Sequence, residues 1–161
     1  MGATAHGRVI AVAAPTLEPT VNALPEKGTA MTVSFVNPPT LLAPSGFSHA
    51  TRHKDTIHLA GQTALTPEGV IVEGGIVEQF HQALSNFLEA LRSAGGRPDG
   101  LLSMTIYLTD IPEYQANGRR IGEIWRELTD DAPYPAMAGI GVVGLWQPEA
   151  MIEIQGVAAA E

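Results

Sequence analysis

The sequence has no cysteine. That excludes disulfides, thiol nucleophiles and thiolate-bound metals, and it fits a reducing compartment such as the cytoplasm. Charge is scarce as well: 16% of residues are charged, against about 25% in an average soluble domain. Basic residues are the scarcest, nine Lys and Arg against seventeen Asp and Glu, for a net charge of −8. No basic run occurs, so neither a nucleic-acid groove nor a polybasic membrane segment is expected. The last basic residue is Arg126; residues 127–161 hold Glu127, Asp130, Asp131, Glu149, Glu153 and Glu161, unopposed. A site built from that stretch must take positive charge from elsewhere. Long apolar runs are also missing from the start of the chain, where residues 9–14 form a run too short to span a bilayer.

Hydrophobic residues nevertheless make up 45% of the 161 residues. Disorder needs the opposite bias. Ample apolar content with little charge suggests a small domain whose surface is partly covered by copies of itself. Residues 1–30 differ from the rest: Pro15, Pro19, Pro25, Gly2, Gly7 and Gly28 break every period, so they read as a flexible extension. Residues 31–161 read as one domain, with Met31 a candidate alternative start.

Within that domain, residues 48–53 and 56–60 read as strands around a Lys54-Asp55 turn. Thr66-Pro67-Glu68-Gly69 is a second turn, leading into a third candidate strand, Val70-Ile71-Val72. Ile76, Phe80, Leu84, Phe87, Leu88 and Leu91 recur at three and four, predicting a helix over 75–94 that Gly95-Gly96 stops. Residues 101–108 alternate as a strand. Asp110 and Pro112 then open a second helix, running to about Leu128. Two strands close the chain, over 136–145 and 151–158. The order β-β-β-α-β-α-β-β implies an α+β, two-layer sandwich, one mixed sheet with two helices on one face.

Few motifs carry chemistry. No Walker loop, HExxH or GxSxG is present. Gly139, Gly141 and Gly144 lie in a predicted strand rather than ahead of a helix, so they read as close packing, not a phosphate cradle. If Lys54-Asp55 is the turn, His53 faces Thr56, Thr51 faces His58 and His49 faces Ala60, which puts His49, His53 and His58 on one face. His49 and His53 would stand roughly 13 Å apart by strand rise, too far to share one ion, so no metal site is assigned. Glu153 sits between Ile152 and Ile154. Either that strand face is wet, or the carboxyl is partly buried with a raised pKa suited to acid–base work.

Several segments together resemble the RidA/YjgF/YER057c/UK114 family. They are Gly46-Phe47-Ser48-His49-Ala50, Ile57-His58-Leu59-Ala60-Gly61-Gln62, Thr105-Ile106-Tyr107-Leu108-Thr109-Asp110, Tyr134-Pro135-Ala136 and Ile152-Glu153-Ile154. The resemblance implies a fold like bacillus-type chorismate mutase and a homotrimer with clefts between subunits. It also implies hydrolysis of reactive enamines and imines without metal or organic cofactor. On this resemblance Glu153 positions water, and Phe47, Ser48, Ala60, Gly61, Gly118, Met137 and Gly139 line the substrate. Departures accompany it. Met137 stands where the family has a carboxylate-gripping arginine, Gly139 where it has a cysteine, Phe47 where it has a tyrosine, and Gly118 where it has an asparagine (Asn117 is adjacent). A methionine offers soft apolar contact where an arginine offers a bidentate ion pair. Either Arg52, Arg119, Arg120 or another remote base reaches the site, or the ligand is larger, neutral or cationic. His49 could assist proton transfer. The alternative is a non-catalytic trimer that binds a small molecule or protein, with Met137, Phe47 and Trp146 forming an apolar cleft.

Overall fold

The computed structural model describes residues 32–161. The expected N-terminal extension, residues 1–30, and Met31 lie outside the described residues. Among those described, six strands form one sheet: β1 (Ser34–Val36), β2 (Ala50–His53), β3 (Thr56–Gln62), β4 (Gly96–Leu108), β5 (Ala136–Gly141) and β6 (Ile152–Ala160). The spatial order is β1-β2-β3-β6-β4-β5. Only β4 and β5 run parallel, so the sheet is mixed.

Three helices complete the fold. α1 (Ile76–Ser93) forms because its apolar residues repeat at helical spacing, and its first turn is closed by Glu78, which accepts from the Gly75 amide at 2.9 Å. Gly95 ends it at φ 83°, a conformation that costs glycine little. Phe80, Ala83, Leu84, Phe87, Leu88 and Leu91 are buried on one stripe of α1. They share one core with Ile57, Leu59, Met104, Ile106, Ile152 and Ile154 of the sheet. The two-layer α+β architecture is thus as the periodicities imply.

The expected second helix is two. α2 (Ile111–Ala116) begins under Asp110, whose carboxylate accepts from the Glu113 amide at 2.9 Å. Asn117 then leaves helical geometry, and α3 (Gly118–Thr129) starts. Only α3 buries residues fully, among them Ile121, Ile124 and Trp125. The Trp125 ring stacks on Tyr134 at 4.9 Å, and its N–H donates to Ala132 O at 2.9 Å.

The strands differ from expectation in four places. Val70-Ile71-Val72 is not in the sheet: Ile71 bridges Leu65 alone, in a small hairpin whose Thr66–Gly69 turn is as expected. Its apolar, β-branched character fits a strand, but the glycines at 74 and 75 send the chain into α1 before a ladder can extend. The sheet takes Ser34–Val36 as β1 instead, an edge strand too short to show a period. β4 starts five residues before residue 101, with register shifts that break its early alternation. β5 ends at Gly141 rather than 145.

The hairpin register is as read from the sequence. His53 faces Thr56 and Thr51 faces His58, and the Ala60 amide donates to His49 O at 3.0 Å. The turn places Lys54 at φ 53°.

Candidate functional site

β3 and β6 pair regularly from Thr56 to Leu59, then lose register between Leu59 and Gln62. This bulge takes Ala60 and Gly61 out of the ladder. The missing side chain of Gly61 leaves a space that the Glu153 carboxyl fills: a Cβ on Gly61 would overlap Glu153 Oε1. Close approach, not backbone angle, is what the glycine provides here: it lets the carboxyl sit against the strand.

Around that contact lies a cavity of about 530 Å³, lined by Leu41, Leu42, Phe47, His49, Ala60, Gly61, Gln62, Leu65, Trp146 and Glu153, among others. Its wall is mostly apolar, with Glu153 as the sole charged side chain among the described residues. Burial alone pushes the Glu153 carboxyl above the ordinary glutamate range; no described cation stands close enough to oppose it. The carboxyl also faces a shallower hollow on its other side, where Tyr107, Trp146 and Gln155 meet it. There Gln155 donates to Tyr107 Oη at 2.7 Å.

His49 is buried and engaged. Gln62 Nε2 donates to its Nδ1 at 3.2 Å, so Nε2–H donates to Leu42 O at 2.8 Å. A ring with both nitrogens hydrogen-bonded serves as a brace for the cavity wall. His53 instead bonds Thr32 O, and His58 is exposed. Among the described residues no three His, Asp or Glu side chains converge as a metal site requires.

The residues expected at the site divide into two groups. Phe47, Ala60, Gly61 and Glu153 line the large cavity. Gly118 and Met137 line a separate hollow of about 160 Å³, between β4, β5 and the helices, with Tyr114, Trp125 and Tyr134. Burial pushes the Tyr114 phenol up to about 12, so that hollow offers a neutral wall. Ser48 and Gly139 line neither space; Ser48 Oγ accepts from Asn37 at 3.5 Å. One chain therefore does not bring Met137 to Glu153.

None of the three candidate bases lines either space. Arg52 donates to the main-chain oxygens of Lys54, Ala94 and Glu161, so it ties a sheet end to the end of α1. Arg119 and Arg120 pair with Glu123 on the exposed side of α3.

Sequence reading missed two buried amides of α1, of which Asn86 lines the cavity. Gln79 and Asn86 are buried in the apolar face of α1. Gln79 donates to Glu149 O at 3.0 Å and accepts from the Met151 amide at 2.8 Å. Asn86 donates to Thr63 O at 3.0 Å and Leu65 O at 2.8 Å. The available signal was their spacing: two polar residues seven apart share one face of a helix, and here that face is otherwise greasy.

Comparisons with known proteins agree with this architecture. Residues 39–160 match the family model described as Endoribonuclease L-PSP. A human protein named 2-iminobutanoate/2-iminopropanoate deaminase is 31% identical over 78% of this chain and 87% of its own. Mitochondrial protein mmf2 of Schizosaccharomyces pombe is 32% identical over 70% of this chain and 86% of its own. Among solved structures, a Rid-family protein of unknown function from Yersinia pestis, YyfA, superposes with a TM-score of 0.70 at 25% identity. It covers 80% of this chain and all (100%) of that one.

Proposed function

The chain belongs to the Endoribonuclease L-PSP family, the RidA/YjgF/UK114 proteins, and from that premise we propose that it hydrolyses a reactive imine or enamine beside Glu153. Relatives named imine deaminases support a RidA-like role in general. The observation that carries the finer reading is the Glu153 carboxyl: half-buried, without an ion-pair partner among the described residues, and set in the wall of a ligand-sized cavity. A carboxylate with a raised pKa is a stronger base than a free one and can both take and return a proton.

The chemistry follows from that group. Water adds to the carbon of R₂C=NH₂⁺ as Glu153 takes one of its protons. The new C–OH and the neutral amine share one carbon. Glu153 returns the proton to nitrogen, the C–N bond breaks to release NH₃, and Glu153 takes the hydroxyl proton as C=O forms and passes it to the ammonia. The balance is R₂C=NH₂⁺ plus H₂O to R₂C=O plus NH₄⁺. Trp146 and Phe47 would shield the apolar part of the ligand, and the main chain at Gly61 would orient it. The Ala60 amide is already committed to His49 O, so the expected pair of backbone contacts narrows to Gly61. Met137 in place of arginine would shift preference away from carboxylate substrates.

We further propose a homotrimer. Its support is β5, which is exposed along its whole length and carries Met137 and Ile140 at 42% and 43% exposure. An exposed apolar edge strand invites a partner chain. Contact there would let Met137 of one copy approach Glu153 of another. Light scattering tests this, and a clean monomer would overturn it. The family description names a nuclease, but a net charge of −8 and a cavity with no basic side chain among the described residues argue against RNA as substrate. No described helix is long and apolar enough to cross a membrane. We propose a cytoplasmic location, which an image of the tagged protein would check.

The decisive experiment is ammonia release from 2-aminoacrylate and from bulkier imines generated in the assay. Acceleration that is lost in Glu153→Gln is expected. No acceleration with any imine would leave a non-catalytic binding protein.

A further inference from the structure

We propose that the cavity beside Glu153 takes a protonated amine or iminium group carried on an apolar body that lacks a carboxylate. The proposal rests on the hydrolase reading for the bond that reacts, and adds to it the class of substrate.

The cavity has one charged side chain and no counter-charge among the described residues. Glu153 forms no hydrogen bond or ion pair with any of them. A carboxylate held half out of water is costly until something cationic or protic meets it. The described chain has little to offer. Of the nine basic residues, Arg52, Arg92, Arg97, Arg119 and Arg120 already hold carbonyl or carboxylate partners. Lys54 sits on the hairpin turn and Arg126 on α3, and neither lines the cavity. Arg8 and Lys27 lie outside the described residues. A second copy that docks through β5 brings residues 127–161, which hold no Lys or Arg, so the positive charge that the described wall lacks comes with the ligand.

The rest of the wall fits the body of such a ligand. Leu41, Leu42 and Leu65 provide apolar surface, and Phe47 and Trp146 add aromatic faces at the opening. Trp146 is 91% exposed, an unusual placement for a tryptophan that nothing else in the described chain covers. An indole beside a carboxylate can attract a cation by its ring face as well as by charge. A ligand carboxylate would meet the opposite: a like charge at Glu153 and no basic side chain. At about 530 Å³ the space has the size of an ordinary small-molecule pocket, roughly 300–1,000 Å³.

The test uses full-length protein and three ligands that share one phenyl ring and a two-carbon chain: 2-phenylethylamine, phenylalanine and 3-phenylpropanoate. Isothermal titration calorimetry should show the amine binding about tenfold or more tighter than either carboxylate. Glu153→Gln should weaken the amine by about tenfold, and Trp146→Ala by several-fold, with melting curves confirming that both variants fold. Carboxylates binding as well as the amine, or unchanged amine affinity in Glu153→Gln, would overturn the proposal. Turnover separates this from the hydrolase reading. Faster ammonia release from the N-unsubstituted imine of phenylacetaldehyde, PhCH₂CH=NH₂⁺, than from 2-iminopropanoate supports the assigned class. Preference for 2-iminopropanoate overturns the class and leaves the hydrolase. Amine binding with no turnover of any imine supports the cation site and overturns the hydrolase.

Discussion

Glu153 and Met137 sit in two regions of one sheet that are built in opposite ways. Around Glu153, one chain supplies everything: a bulge, a glycine with room for the carboxyl, a braced histidine and two buried amides. Around Met137 the strand is exposed from end to end, and the adjoining hollow is small. The first region is finished by folding. The second has the character of half an interface, apolar and uncovered. A site that needs both regions is incomplete in a single chain, whereas a site that needs only the first is already formed.

The largest expected effect comes from the finished region. Glu153→Gln should lower imine hydrolysis by about 10²-fold or more, the usual contribution of a positioned general base. The same substitution should raise the melting temperature slightly at neutral pH. The sign follows from the raised carboxyl pKa. Between the unfolded value and the higher folded value, the folded chain holds more protons than the unfolded chain, so stability falls as pH rises through that window. An uncharged amide in place of the carboxyl would remove that loss, and thermal melts taken from acidic to neutral pH would show it. A melt with no pH-dependent difference between the two proteins would contradict the desolvated carboxyl.

Gly61→Ala is the next largest. The added methyl occupies the position of the carboxyl, so Glu153 must swing aside. Activity should fall about tenfold or more, as displaced catalytic groups do, while the melting temperature moves little because the carboxyl is a flexible tip. Equal losses of activity and stability would mean that the strands, not the carboxylate, had moved.

Met137→Arg addresses the other region. If a second copy brings β5 against the cavity, the new guanidinium should raise turnover of carboxylate-bearing imines several-fold. No change in substrate preference, measured as kcat/KM, would show that the two regions act separately. The smallest effect is on the rate with pH. Hydrolysis should increase as Glu153 ionises, with a midpoint above the ordinary glutamate value of 4.5. A rate that does not rise with pH above that value would contradict Glu153 as the base.

What the sequence revealed follows the length of each pattern. α1 was legible because its apolar stripe runs through 18 residues. The β2–β3 register was legible because one two-residue turn fixes every pair after it. β1, with three residues, has no period to read. The break at Asn117 was hidden because Pro112 and Asp110 announce one helix start and nothing announces a second. Glu153 stood out as a charge between isoleucines. Its seat did not, since the approach of Gly61 to Glu153 joins residues on different strands. The family resemblance named Gly118, Met137 and Gly139 as site residues. One chain places them away from Glu153, because β5, which carries Met137 and Gly139, lies two strands from β6 across β4, and Gly118 opens α3.

Gln79 and Asn86 give α1 a second use. Each grips a different piece of main chain, Glu149–Met151 on one side and Thr63–Leu65 on the other. Seven residues of helix separate them by about 10.5 Å. The span between the two gripped segments is therefore gauged by helical pitch, a dimension that side-chain substitutions cannot retune. Evolution of a new ligand preference in such a frame has to proceed by repainting the walls, through residues such as Phe47, Leu65 and Trp146. Widening the gap would take a whole-turn insertion in α1, which would also uproot the core stripe behind it.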